Sequence, residues 1–114
     1  RQAGLGLWSS GRLVTIPYRK APDFVDRAVA VHGVVVAAKT VRLGDGGRIG
    51  FLNFHADYKR YLSVVIREAD FHRFGSDPAG RYRGKDLTVT GRIRDRRGRL
   101  QIQVTDPSQI LISE

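Results

Sequence analysis

Five arginines fall within eight residues, Arg92-Ile93-Arg94-Asp95-Arg96-Arg97-Gly98-Arg99. A guanidinium keeps its charge at biological pH and presents a planar fork of donors, so a cluster of them suits phosphate oxygens. Exposed basic residues on a strand end also have a plainer use, because they discourage edge-to-edge aggregation. A second basic pair, Arg42 and Arg48, brackets the turn-forming run Gly44-Asp45-Gly46-Gly47. A third group mixes rings with charge: His55, Tyr58, Lys59, Arg60 and Tyr61. Tyrosines beside cations supply a face on which a base can stack and a charge for its phosphate.

Other chemistry is poorly supplied. The chain has no cysteine, which removes thiolate nucleophiles, disulfides and cysteine-based zinc sites. His32, His55 and His72 lack metal-ligand spacing. The carboxylates are scattered, and the nearest pair, Glu68 and Asp70, stands two apart on a predicted helix and faces different directions. The expectation is a chain that is not an enzyme and holds neither metal nor cofactor.

Twenty Lys+Arg stand against 11 Asp+Glu in 114 residues, a formal net charge of +9. That balance points to polyanionic partners: nucleic acid, an acidic membrane surface or an acidic protein. No apolar run approaches the ~20 residues of a membrane-spanning helix. The length fits one domain with a modest core. Since the chain starts at Arg1 and has no methionine, it is expected to be part of something longer.

The elements that must position these residues follow from pattern. Residues 1–28, with Gly4, Gly6, Gly11, Pro17 and Pro22, read as an extended lead-in, in which Leu5, Leu7 and Trp8 form an apolar cluster able to dock. Val29 to Arg42 is dense in valine and reads as one long strand, with Gly33 marking a bulge or bend. Arg48 to Phe54 follows as a second strand, with Ile49, Phe51 and Asn53 on one face and Gly50, Leu52 and Phe54 on the other. Only one of Phe51 and Phe54 can then face a ligand, and Asn53 is read as bonding internally. Tyr61 to Ile66 is a third strand, and Arg67 to Phe74 a short helix ended by Gly75 and Pro78. Lys85 to Arg94 alternates strictly, as do Leu100, Ile102 and Val104 with Gln101, Gln103 and Thr105. Ile110 to Ile112 extends the last strand or caps the core. Strand, strand, strand, helix, strand, strand predicts an all-β fold with one short helix: a five-stranded Greek-key OB-fold barrel over residues 29–114, with an open sandwich of the same strands as its main competitor.

Specific runs agree with that outline. Gly50-Phe51-Leu52-Asn53-Phe54, Tyr61-Leu62-Ser63-Val64-Val65-Ile66, Tyr82-Arg83-Gly84-Lys85, Val89-Thr90-Gly91-Arg92-Ile93 and Val104-Thr105-Asp106-Pro107-Ser108-Gln109-Ile110 resemble the small bacterial OB-fold domains found alone or appended to thermonuclease-like (staphylococcal nuclease-like) proteins. Gly4-Leu5-Gly6-Leu7-Trp8 looks like the end of the last helix of such a nuclease domain. The resemblance implies an upstream nuclease-like domain and is compatible with a secreted or periplasmic setting. The nuclease family's Arg, then Asp, then Pro-Glu arrangement of metal-holding carboxylates is missing here, so the resemblance implies no catalysis in this chain.

In an OB fold, ligands cross the face of the second and third strands between the loops joining strands one to two and four to five. Those loops carry Arg42 and Arg48 on one side and Arg94, Arg96, Arg97 and Arg99 on the other. With Tyr58, Lys59, Arg60 and Tyr61 they form the expected site for single-stranded DNA or RNA, bound with little sequence preference. The alternative is a protein-interaction or accessory domain whose charge serves solubility.

Overall fold

Valine-rich and alternating stretches become eight strands in the computed structural model, which describes residues 14–75 and 77–113. Among these residues the strands are β1 (Thr15–Pro17), β2 (Ala28–Val34), β3 (Ala37–Arg42), β4 (Arg48–Asn53), β5 (Ser63–Arg67), β6 (Asp86–Arg96), β7 (Arg99–Gln103) and β8 (Ile110–Ser113). They form one mixed sheet in the order β1-β2-β6-β7-β5-β4-β3, with β8 also paired to β6. The pairs β1 with β2 and β5 with β7 are parallel, and the others antiparallel.

The all-β expectation holds, but a closed five-stranded barrel is not what forms. The long first strand divides at Val35-Val36 into β2 and β3, which lie far apart along the hydrogen-bonded path and do not pair with each other. The cause is a change of partner within one peptide unit. Val35 N–H donates to Lys85 O at 2.9 Å, whereas Val36 N–H donates to Asn53 O at 3.0 Å. Residues 15–24 add β1 and a 3-10 segment (Tyr18–Phe24), which bring Ile16 and Ala21 into the core. The apolar cluster at Leu5, Leu7 and Trp8 and the nuclease-like run Gly4 to Trp8 lie outside the described residues.

Gly33 sits inside β2 rather than at the break, and close packing accounts for it. A Cβ there would lie 2.7 Å from Phe54 Cδ1 and 2.9 Å from Tyr18 Cδ1. The single helix expected after β5 is instead a 3-10 turn (Glu68–Asp70) running into α1 (Phe71–Phe74), then Gly75 at φ 102°. A further helix, α2 (Pro78–Tyr82), follows. Its start obeys ordinary capping rules: Asp77 Oδ1 accepts the Gly80 N–H at 3.0 Å, and Pro78 fills the first turn, where no N–H is needed.

Alternation then assigns each strand a dry and a wet side. Leu52, Val64, Ile66, Leu87, Ile93 and Ile102 are fully buried, each such side chain contributing roughly 1.5–3 kcal/mol of burial. Phe71, Phe74 and Tyr82 from the helices close the same core. No helix among the described residues is long and apolar enough to cross a membrane.

Candidate nucleic-acid interface

Pairing register decides which side chains share the other face of the sheet. Asn53 of β4 lies opposite Ser63 of β5, Ser63 opposite Gln101 of β7, and Gln101 opposite Arg94 of β6. A polar row thus crosses four strands. Beside it, Lys39 of β3 pairs with Phe51, Phe51 with Val65, and Val65 with Gln103. Because cross-strand partners project to the same side, these rows form one continuous surface.

A cleft of about 240 Å³ opens on this surface. Asn53 and Ser63 form its buried floor, and Phe51, Tyr58 and Leu100 its walls. Lys39 and Arg99 also line it, and both approach the Tyr58 ring, with Lys39 Nζ 4.9 Å and Arg99 Cζ 5.9 Å from its centroid. Cations at those distances are attracted to the ring and hold it in place. A smaller cleft of about 150 Å³ shares Gln101 and is bounded by Arg67 and Arg96. Among the described residues, Lys39, Arg67, Arg96 and Arg99 form no ion pair with a carboxylate. Their charge is available to an external anion.

The residues singled out from sequence fall into two groups. Tyr58, Arg96 and Arg99 line the clefts. Arg48 is tied to Glu68, its Nε 3.1 Å from Oε2. Arg94 lies 3.4 Å from Asp26 Oδ1, and Arg92 donates to the Asp26 carbonyl, so both fasten the turn before β2 onto β6. Tyr61 stacks on His55 at 4.1 Å with Arg19 Cζ 5.5 Å from its centroid, so its ring is already engaged inside the protein. Arg60 is exposed, with Nε 4.0 Å from Asp57. Lys59 is exposed outside both clefts, Arg42 is exposed at the end of β3 opposite Arg48, and Arg97 occupies the hairpin tip.

Lys39 and Arg67 were not singled out from sequence, although both line the clefts. The available signal was a charge alternating with apolar residues in a strand. Asn53 makes the internal bond expected of it, accepting from Ser63 Oγ at 2.7 Å, yet it also lines the cleft.

Fold and surface together define a small β-rich domain with a cationic, ring-bearing sheet face. No family model matches the chain, and no curated protein matches it. Among solved structures, the chain is similar to one assigned as an aspartyl-tRNA synthetase from Leishmania major, with a TM-score of 0.53 and 13% identity. The likeness covers 95% of this chain and 22% of that one, and at such identity it shows the fold alone.

Proposed function

We propose that this chain is a non-catalytic, OB-fold-like module that binds single-stranded nucleic acid, with low sequence preference, across the face of β3, β4, β5, β7 and the end of β6. The observation that carries this is the set of four cations without carboxylate partners among the described residues, Lys39, Arg67, Arg96 and Arg99, around clefts that contain the Tyr58 ring. Phosphates bound there would release condensed counterions, the main source of affinity in sequence-tolerant binding. The sheet order supports the OB-like assignment, since β2 and β3 are successive parts of the chain on either side of β6-β7-β5-β4. The structurally similar synthetase carries tRNA in its name, which agrees with a nucleic-acid partner. An upstream nuclease-like domain would make this module a tether for substrate.

A salt titration tests the proposal. Affinity for a labelled oligonucleotide should fall linearly on a log–log plot, with a slope of about −3 if four phosphates are neutralised on a single strand. Absence of binding at low salt, or affinity indifferent to salt, would overturn it. Incubation with magnesium or calcium should leave the oligonucleotide intact, because among the described residues no three His, Asp or Glu side chains cluster to hold a metal ion.

A further inference from the structure

Charge along the sheet face does not account for the polar floor of the larger cleft. Asn53 and Ser63 are 4% and 5% exposed, and Ser63 Oγ donates to Asn53 Oδ1 at 2.7 Å. That bond uses the serine proton and one side of the amide. The two amide protons on Asn53 Nδ2 and the lone pairs of Ser63 Oγ are left over, a donor beside an acceptor. No other side-chain hydrogen bond of this pair occurs among the described residues.

A phosphate carries only acceptors, so it can use the Asn53 amide protons but leaves the Ser63 lone pairs unanswered. A nucleobase fits the arrangement better. Its faces are apolar and planar, to match Phe51, Tyr58 and Leu100, and its edge sets a donor beside an acceptor. The volume of about 240 Å³ falls below the roughly 300–1,000 Å³ of a site for a drug-sized ligand and is ample for a single base. The neighbouring cleft, reached past the shared Gln101 and flanked by Arg67 and Arg96, is polar and suits the adjoining phosphodiester.

We infer that the larger cleft takes one unstacked base of the bound strand, its face on Tyr58 in place of one of the two cations that lie over that ring and its edge on the Asn53–Ser63 pair, an inference that rests on nucleic-acid binding as the function. The module then reads the presence of a base and its polar edge, besides the charge of the backbone.

Three oligonucleotides of equal length separate the possibilities without altering the protein: oligothymidylate, its analogue with every base replaced by the nonpolar isostere difluorotoluene, and the abasic deoxyribose-phosphate chain. Fluorescence anisotropy should show thymidylate binding at least about fivefold tighter than the abasic chain, the lower end of what stacking one base contributes. The isostere should fall between them. Tyr58→Leu should remove most of the difference between thymidylate and abasic chain. Equal affinity for thymidylate and abasic chains overturns the base subsite and leaves charge-driven binding standing. An isostere that binds as tightly as thymidylate overturns the role given to Asn53 and Ser63. Failure of all three to bind at low salt overturns nucleic-acid binding itself.

Discussion

Glu68 holds Arg48 at two points: its Oε1 accepts the Arg48 backbone N–H at 2.8 Å, and its Oε2 accepts Nε at 3.1 Å. The first residue of β4 is thereby fastened to the 3-10 turn that follows β5. The guanidinium also lies over Phe71, 5.2 Å from the ring centroid. An arginine that looks available in the sequence is committed to holding two elements together, and the cations of the cleft lining without a carboxylate partner among the described residues are Lys39, Arg67, Arg96 and Arg99.

Glu68→Gln keeps an oxygen for the backbone N–H but removes the negative charge. Because both partners are 43% exposed, loss of the ion pair should cost no more than ~1 kcal/mol of stability. The released Arg48 should strengthen oligonucleotide binding at low salt and steepen the salt dependence by up to about 0.7, the increment for one further phosphate on a single strand. Anisotropy titrations at several salt concentrations check this. An unchanged slope would place Arg48 off the path of the strand.

Gly33→Ala should destabilise the domain by roughly 1–3 kcal/mol, the usual cost of forcing atoms into a packed core. The added methyl would meet Phe54 and Tyr18, whose rings stack with centroids 5.4 Å apart. Gly44→Ala is the matched control, since a Cβ there meets nothing within 4 Å. Urea unfolding of both variants makes the comparison, and equal midpoints would remove the close-packing explanation for Gly33.

Residues whose role follows from local period were legible in the sequence. Ile49, Phe51 and Asn53 separate from Gly50, Leu52 and Phe54 because strand side chains alternate, and in the structure Phe54 is core while Phe51 lines the cleft. What depends on topology was not legible. Glu68 and Arg48 are 20 residues apart, and Asp26 and Arg94 are 68 apart, so nothing local marks those arginines as engaged. Lys39 gains its place from its register opposite Phe51. The break at Val35-Val36 was hidden for another reason: valine favours extended backbone on both sides, and only the change of hydrogen-bond partner distinguishes them.

Arg97 and Gly98 form a two-residue hairpin loop, since Arg96 pairs with Arg99 and both loop residues have positive φ, 58° and 87°. This is the geometry that Asn-Gly prefers, and Asp95 Oδ1 reinforces it by accepting the Gly98 N–H at 2.7 Å. Arg97→Asn should therefore stabilise the domain by up to about 1 kcal/mol, the order of the left-handed penalty on a longer side chain. Since Arg97 lies at the tip, outside both clefts, its replacement should weaken oligonucleotide binding far less than Arg99→Gln does. Calorimetry and anisotropy read the two effects separately, and comparable losses of affinity would move the strand's path over the hairpin tip.

Asp106 gives the fold an acid-sensitive fastening away from the cleft. Its carboxylate accepts the Ser108 backbone N–H at 2.9 Å, while Gln109 accepts the Asp106 N–H and donates Nε2–H to Thr90 O at 2.9 Å. The turn that launches β8 is thus pinned to β6. The Ser108 backbone bond, then the Ser108 hydroxyl, hold the Asp106 carboxyl below its ordinary range, with a smaller lowering from Arg73; desolvation opposes them. A folded-state pKa below the unfolded one means that the stabilisation is present above the unfolded value of about 3.9 and is lost as pH falls through the folded value. Asp106→Asn can still accept the N–H but cannot titrate, so its stability should fall less steeply than the wild type's between roughly pH 5 and pH 2. Denaturant unfolding across that window decides it: parallel curves would mean that the Asp106 carboxylate has the same pKa in the folded and unfolded chains.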